Sequence, residues 1–250
     1  MAAGETYSAK DKARYVERLF AGIAEHYDLM NRLMSFGRDG AWRRRALAEL
    51  ACGRGDLVLD VGTGTGDFLP LLAGRGCRAV GADLTPVMML AGRKKLAPYR
   101  GRAYLLAGDT LHLPFADHSF DGIINGFLLR NVADLPAALA EMRRVLRPGG
   151  RLVCLEITWP RVPLFRQIFG LYFGRFVPLL GGLISGRREA YAYLPRSVQA
   201  FVSARELMSL MTEAGLGEVR YKRLALGAVG LATSVAPATL VAGADVAHTH

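Results

Sequence analysis

Three glycines in five residues, Gly62-Thr63-Gly64-Thr65-Gly66, follow the apolar run Leu57-Val58-Leu59-Asp60-Val61 and precede Asp67. Glycine admits positive φ and lets a ligand approach the backbone closely, and a helix opening after such a turn offers unpaired N–H groups. Spacing then discriminates among nucleotide-like ligands. A dinucleotide fingerprint counted from Gly62 needs glycine at 67, and counted from Gly64 needs it at 69, where Asp67 and Leu69 stand. No phosphate-loop lysine follows. Asp67 at the mouth of a pyrophosphate site would also repel the anion.

A ligand without phosphate, carrying an ammonium and a sulfonium, has no such conflict, and S-adenosyl-L-methionine fits that description. The other residues are placed to suit it. Asp60 and, 23 residues later, Asp83 are strand-end carboxylates, the second suited to accepting both ribose hydroxyls. Asp109-Thr110 ends a third strand, in position to flank an adenine. Gly62, Gly64, Thr65, Gly66, Leu84 and Gly126 complete the expected cofactor-binding set.

These residues need a scaffold, and the periodicity supplies one. Strands are expected at 57–61, 77–83, 103–107, 120–127 and 151–157, with helices at 66–74, 85–96 and 135–146 between them. Thr85 is placed as an N-cap and Pro86 as the first helical residue. Strand–helix alternation of this kind gives a parallel, doubly wound sheet that binds ligands at the carboxyl ends of its strands. Val16, Leu19, Phe20 and Ile23 mark an amphipathic helix over 12–26, and an Arg-rich helical stretch runs through Trp42 to Glu49. A helix at 198–214 and two closing strands within 218–235 follow. The fold class expected is α/β with a mostly parallel seven-stranded sheet. It divides into an N-terminal helical extension (1–56), a cofactor-binding domain (57–235) with a substrate cover at about 160–195, and a disordered tail (236–250).

Composition bounds the remainder. The 250 residues are 51% hydrophobic and 22% charged, an ordinary globular balance. Three scattered cysteines exclude a disulfide framework and a C-x-x-C metal knuckle, and no His or Cys set has metal-ligand spacing. They point to a reducing, cytoplasmic setting. The uncharged stretch 224–244 is too diluted by Gly, Thr, Ser and Pro to read as a membrane span, and reads instead as a closing strand and tail. The net charge of +10 gathers late, with ten basic and four acidic residues in 160–223. Nucleic acid, an anionic membrane surface or a merely solvated face would each suit that excess.

Several stretches together resemble a known family. The runs V-L-D-V-G-T-G-T-G-D at 58–67, G-A-D-L-T at 81–85, L-P-F-A-D-H-S-F-D at 113–121 and R-V-L-R-P-G-G-R-L at 144–152 resemble class I S-adenosylmethionine-dependent methyltransferases. Y-D-L-M-N-R-L-M-S-F-G at 27–37 with Trp42, L-R-N-V at 129–132 and Y-A-Y-L-P-R-S-V at 191–198 narrow this to the ubiquinone/menaquinone biosynthesis C-methyltransferases. The chain departs from that family at Asp39-Gly40, where histidine-arginine is usual, and at Gly126, where a small hydroxyl residue is common.

The resemblance implies a Rossmann-like methyltransferase fold and methyl transfer to a ring carbon of a lipophilic quinol. It also implies transient contact with the membrane's inner face and no nucleic-acid partner. Arg130 is the expected phenolate-stabilising cation, because a charge in Leu-Leu-Arg-Asn has little packing reason to be there. Asn131 would orient the same oxygen, and Tyr27 and Asn31 would close the pocket. Tyr27 reads equally well as a core aromatic, and His112 as a general base or a solvated loop residue. A same-fold methyltransferase acting on a phenol, sterol or polyketide stays open, as does a nucleic-acid-binding module on this fold.

Overall fold

The computed structural model describes residues 9–238. Its sheet has the order β3-β2-β1-β4-β5-β7-β6, from β1 (Leu57–Val61), β2 (Arg78–Asp83), β3 (Ala103–Ala107), β4 (Phe120–Gly126), β5 (Leu146–Ile157), β6 (Gly217–Leu224) and β7 (Val229–Val235). The first five strands run parallel. β7 is antiparallel to both β5 and β6. The order reverses at β1, between β2 and β4, and this is where such sheets open a crevice for ligands.

Helices cover both faces. α4 (Phe68–Gly74) follows β1, α5 (Pro86–Gly92) follows β2, and α6 (Leu135–Val145) follows β4. One buried cluster joins Leu59, Ile123, Leu139 and Met142 with Met211 of α10 (Ala204–Glu213). The opposite face packs Val58, Ile124 and Val153 against Phe68 and Leu72 of α4 and Leu47 of α3 (Asp39–Leu50). Burying both faces explains why β1 and the second half of β5, residues 152–157, are almost unbroken apolar runs.

A third cluster lies beyond the sheet's carboxyl edge. α1 (Ala9–Ala21) leads through Ile23 and a 3₁₀ turn (Ala24–His26) to α2 (Tyr27–Met34), and this segment supplies Ile23 and Met30. α7 (Pro163–Leu171) and α8 (Val177–Ser185), joined through a π-helical turn at Tyr172–Phe176, supply Phe169, Phe173 and Val177. α9 (Arg188–Ala200) completes the cluster with Tyr191, Leu194 and Val198.

Several boundaries differ from the periodicity. The helix expected over 12–26 stops at Ala21, and α5 gives way at Arg93 to a 3₁₀ segment reaching Tyr99. Thr85 sits at the N-cap of α5, but its hydroxyl makes no capping bond, and its N–H instead donates to Asp83. The expected 198–214 helix is two helices parted at Ser203, whose side chain accepts the N–H of Glu206. Ser203-Ala204-Arg205-Glu206 is a capping-box sequence, the local signal for that break. Leu224 to Val235 is built into β6, a 3₁₀ turn and β7 and spans no membrane; instead Pro163–Ser185 is the helix long and apolar enough to cross one. Ala236, expected in the tail, is fully buried, its N–H donating to Gly150 and its carbonyl accepting from Gly149. The remaining tail residues from 239 lie outside the described residues.

Candidate active site

Two cavities meet at the carboxyl ends of β1, β2 and β4. The first, about 110 Å³, is floored by the glycine turn. Gly62 and Gly64 adopt φ of 67° and 56°, a region that a side chain would strain, and the turn so formed exposes its backbone to the space. Seven expected cofactor residues line it: Gly62, Gly64, Asp83, Leu84, Asp109, Thr110 and Gly126.

The other three lie beneath or behind. Asp60 is 1% exposed and accepts the Thr63 hydroxyl at 2.6 Å, while its other carboxylate oxygen has no partner. Burial pushes its pKa up to about 7. Thr65 donates to Asp28 at 2.6 Å and receives the Lys95 ammonium at 3.0 Å, which points its hydroxyl away from the cavity. Gly66 packs against Leu69.

Asp83 is fastened to the turn it must work with. One carboxylate oxygen accepts the Gly64 N–H at 2.7 Å and the other the Thr85 N–H at 2.8 Å. Burial raises its pKa against those bonds. Asp109 accepts the N–H of Leu111 and bridges to the backbone of His112, an exposed loop histidine.

Asp67 is not at the mouth of the site, where its position after the glycine turn would put it. It does not line the cavity, because Arg43 at 3.1 Å and Lys95 at 2.5 Å hold it. Burial would raise its pKa, but these two cations outweigh burial and keep it below the usual carboxylate range. The glycine spacing still departs from a dinucleotide turn, but Asp67 would not repel a phosphate in this cavity.

The lining charges carry the electrostatic test. Glu17 of α1, Asp83 and Asp109 face this cavity, and among the described residues no Lys or Arg lines it; Lys12 is held at its margin by the Val132 carbonyl. A lining with three carboxylates suits a positively charged nucleoside and opposes a phosphate. The volume lies below the 300–1,000 Å³ usual for drug-sized ligands, and α1 forms the roof through Ala13, Val16, Glu17 and Phe20. The residues fit S-adenosylmethionine, and the roof must rise to admit it.

The second cavity is larger, about 490 Å³, and mainly apolar. Tyr27, Asn31 and Arg130 line it, together with Trp42 of α3 and Phe165, Ile168 and Phe169 of α7. Asn131 lies on the cofactor side. Phe20, Tyr27 and Phe127 belong to both cavities and form the wall between them. Buried polar atoms without partners gather near that wall: Asn31 Nδ2, Arg130 Nε and Asn131 Oδ1. Buried polar groups are ordinarily satisfied, so such a gathering marks a place where a ligand completes the bonding.

Comparison with known proteins decides the class. The model of the ubiE/COQ5 methyltransferase family matches residues 7–236. The chain is 48% identical over 229 residues to a demethylmenaquinone methyltransferase of Roseiflexus castenholzii, covering 90% of this chain and 94% of that one.

The chain belongs to the ubiE/COQ5 methyltransferase family.

A ubiquinone/menaquinone biosynthesis C-methyltransferase UbiE of Geobacter sulfurreducens is 40% identical, with 88% of each chain covered. Among solved structures, a SAM-dependent methyltransferase from Aquifex aeolicus superposes with a TM-score of 0.60 at 18% identity, covering 84% of this chain and 97% of that one. At that identity the likeness speaks for the fold alone. The fold class, the enzyme class and the S-adenosylmethionine donor expected from the sequence stand.

This ubiE/COQ5 member also contains site residues that the sequence reading passed over. Arg130 is not a free cation: its Nη1 donates to Glu156 at 2.5 Å and to the Phe127 carbonyl at 2.6 Å. Glu156, 2% exposed, is the packing reason for the charge. Its signal was present, a lone carboxylate in the apolar strand Leu152-Val153-Cys154-Leu155-Glu156-Ile157. Arg43 lies between the Phe68 and Phe127 rings, 5.0 and 5.2 Å from their centroids. A Cβ on Gly126 would stand 2.7 Å from Phe68 and 3.1 Å from Arg43, so this packing excludes the hydroxyl residue common there. Lys95 joins Asp28 of α2 to Asp67 of the turn, both at 2.5 Å.

Proposed function

We propose that the protein methylates a ring carbon of a polyprenylated quinol, converting demethylmenaquinol to menaquinol, with the corresponding benzoquinol as the other member of the substrate class. One observation carries the reading. An acid-lined cavity and an apolar cavity lie side by side and share Phe20, Tyr27 and Phe127, so a donor in the first and an acceptor in the second are neighbours across those side chains. The names of the relatives, demethylmenaquinone methyltransferase and UbiE, support the same substrate class.

S-adenosylmethionine, when bound, supplies an electrophilic methyl on a positively charged sulfur. Asp83 would take the ribose hydroxyls, Asp109 and Thr110 would flank the adenine, and Gly62, Gly64 and Gly126 would line the rest of the site. Glu17, Asp83 and Asp109 together favour the positive charge.

The apolar cavity takes the quinol. A ring carbon is a weak nucleophile until the adjacent hydroxyl loses its proton and electron density moves onto the ring. Arg130 Nε and Asn31 Nδ2 donate to that oxygen, and Asn131 Oδ1, on the cofactor side, accepts from a water that takes the hydroxyl proton. After methyl transfer the ring carbon gives its own hydrogen to water as a proton and the ring regains aromaticity. Preorganised donors aimed at a developing oxyanion lower a barrier by about 3 kcal/mol each. Tyr27 holds the ring edge against the donor cavity, and such alignment is worth on the order of 7–11 kcal/mol. Glu156 neutralises Arg130, so the arginine acts as a fixed hydrogen-bond donor and less as a net charge.

The N-terminal helices through Leu50 and the cover at about 160–195 form the two halves of the substrate enclosure. The polyprenyl tail keeps the quinol in a bilayer, so the enzyme works from the cytoplasm against the membrane's inner face, with no nucleic-acid partner.

The test is direct. Purified protein with labelled S-adenosylmethionine is offered short-tailed demethylmenaquinol, a demethylated benzoquinol and a simple phenol. Rapid label transfer to the quinols, slow transfer to the phenol and mass evidence of a new C–CH₃ bond are expected. Calorimetric uptake of S-adenosylmethionine with no transfer to either quinol would overturn the substrate while leaving the cofactor site intact.

A further inference from the structure

The apolar cavity opens onto an unusual rim. Phe36 and Leu226 both line it, and they are 77% and 69% exposed. Both also hold left-handed backbones, with φ of 52° and 53°. A bulky side chain pays for that conformation, and strain of this kind collects at functional sites. Here it serves to display two large apolar side chains at the mouth.

The helix beside the mouth continues the pattern. Leu164, Ile168, Leu171, Phe176, Leu179 and Leu183 are each at least half exposed, and their steps along the chain are 4, 3, 5, 3 and 4 residues. A five-residue step would leave one face of an ordinary α-helix. It falls on the π-helical turn at Tyr172–Phe176, whose wider winding returns Phe176 to the same stripe. Ile168 belongs to the stripe and also lines the cavity. The opposite face of the helix, through Phe169, Phe173 and Val177, is buried in the protein core. A helix anchored this way lies flat along a surface and does not cross a membrane, although its length would allow it.

Charge names the partner. Residues 160–190 contain five arginines, Arg161, Arg166, Arg175, Arg187 and Arg188, and one acid, Glu189. All five arginines are exposed, and no salt bridge to any of them occurs among the described residues. Glu189 is engaged by the Tyr15 hydroxyl. Arg166 and Arg175 stand on the same helical segment as the stripe, whereas Arg161 and Arg187 line other pockets, Arg187 beside Asp11 and Glu17. An apolar stripe flanked by two such arginines complements acyl chains beneath anionic headgroups.

We infer that the α7–α8 helix, with Phe36 and Leu226, is a docking face for an anionic lipid bilayer, which places the mouth of the apolar cavity in the acyl region. The inference rests on the quinol reading for its purpose, but its test does not. The ring enters between Phe36, Ile168 and Leu226, while the distal tail stays among the lipids.

Flotation of the full-length protein with phosphatidylglycerol-containing and pure phosphatidylcholine vesicles, without quinol, measures docking. Wild type is expected to float with the anionic vesicles and to release in high salt. Arg166→Glu with Arg175→Glu should weaken binding by roughly tenfold or more. Leu164→Asp with Leu183→Asp should abolish it. None of these four residues lines the cavity, so both pairs should methylate a short-tailed, water-soluble quinol like wild type, a result that also shows they fold. Methylation of vesicle-borne, long-tailed quinol should fall with binding. Wild type remaining unbound at low salt would overturn the docking face, as would the Leu164/Leu183 variant floating normally. A wild-type dimer dissociated by that variant, without vesicle binding, would reassign the face to self-association. Docking with no methylation of any quinol would retain the face and reject the substrate reading.

Discussion

Arg130 and Glu156 form a buried ion pair, with Nη1 2.5 Å from one carboxylate oxygen while the residue 130 N–H donates to the other at 3.2 Å. The pair joins the turn after β4 to the end of β5. Removing one member leaves an uncompensated buried charge, which costs about 3–5 kcal/mol. Glu156→Ala should therefore lower the urea-unfolding free energy by that amount. Glu156→Gln keeps a hydrogen-bond acceptor but leaves the guanidinium uncompensated beside the quinol oxygen. Loss of the quinol proton becomes easier, so the kcat–pH profile should extend to lower pH than in wild type. An unchanged profile would show that Arg130 does not sense the ionising oxygen.

Asp60 has a pH signature. Its folded pKa of about 7 stands above the ordinary carboxylate value of 3.8 because it is buried. The folded state thus binds the proton more tightly than the unfolded state. The stability this group confers is fully present below about pH 4 and is lost as pH rises through about 7. Asp60→Asn removes the titration, so the variant's stability relative to wild type should rise steadily from pH 4 to 8 in denaturant titrations. A cationic ligand nearby favours the ionised form. S-adenosylmethionine affinity should rise with pH through about 7 in wild type, with proton uptake or release visible as a buffer-dependent calorimetric enthalpy, and this dependence should flatten in Asp60→Asn.

Two glycines should respond oppositely to alanine. A Cβ on Gly92 would lie 1.8 Å from the Thr65 carbonyl oxygen, so α5 presses on the glycine turn at this point. Gly92→Ala must displace that turn, and overpacking of this kind costs about 1–3 kcal/mol. Its S-adenosylmethionine dissociation constant should rise at least as sharply as its stability falls. Gly74, the last residue of α4, has open space around its Cβ direction. Gly74→Ala should stabilise by about 0.5 kcal/mol without changing cofactor affinity.

Lys12 donates to the Val132 carbonyl at 2.6 Å, and this bond helps hold α1 over the acid-lined cavity. If the roof rises to admit the cofactor, Lys12→Met should speed both association and dissociation of S-adenosylmethionine in stopped-flow measurements. The dissociation rate should increase more, weakening affinity overall. Hydrogen exchange over residues 11–21 should slow on cofactor binding in both proteins. Exchange unaffected by the cofactor would place its entry elsewhere.

Much of this site was legible because its signals are local. Strand β1, the Gly62–Gly66 turn, Pro86 at the start of α5 and the carboxylate at the end of β2 each depend on a few adjacent residues, whose backbone preferences and hydrogen-bonding needs are written in their types. The seven lining residues shared by the sequence reading and the donor cavity belong to this kind. Thr65 has the right type but turns its hydroxyl to Asp28, a residue 37 positions earlier in the chain.

The sequence by itself determined the sheet, the glycine turn and the class of chemistry, because strand periodicity and glycine spacing act over a few residues. Only the tertiary structure decided that Glu156 neutralises Arg130, that Arg43 and Lys95 remove Asp67 from the cavity, that Gly92 supports the turn from α5, and that Glu17 lines the same cavity as Asp83. Each of these pairings joins residues that are remote along the chain and is set by packing and burial. In a low-dielectric interior, the neighbour that packing brings within 3 Å determines whether a charge serves the ligand or the fold.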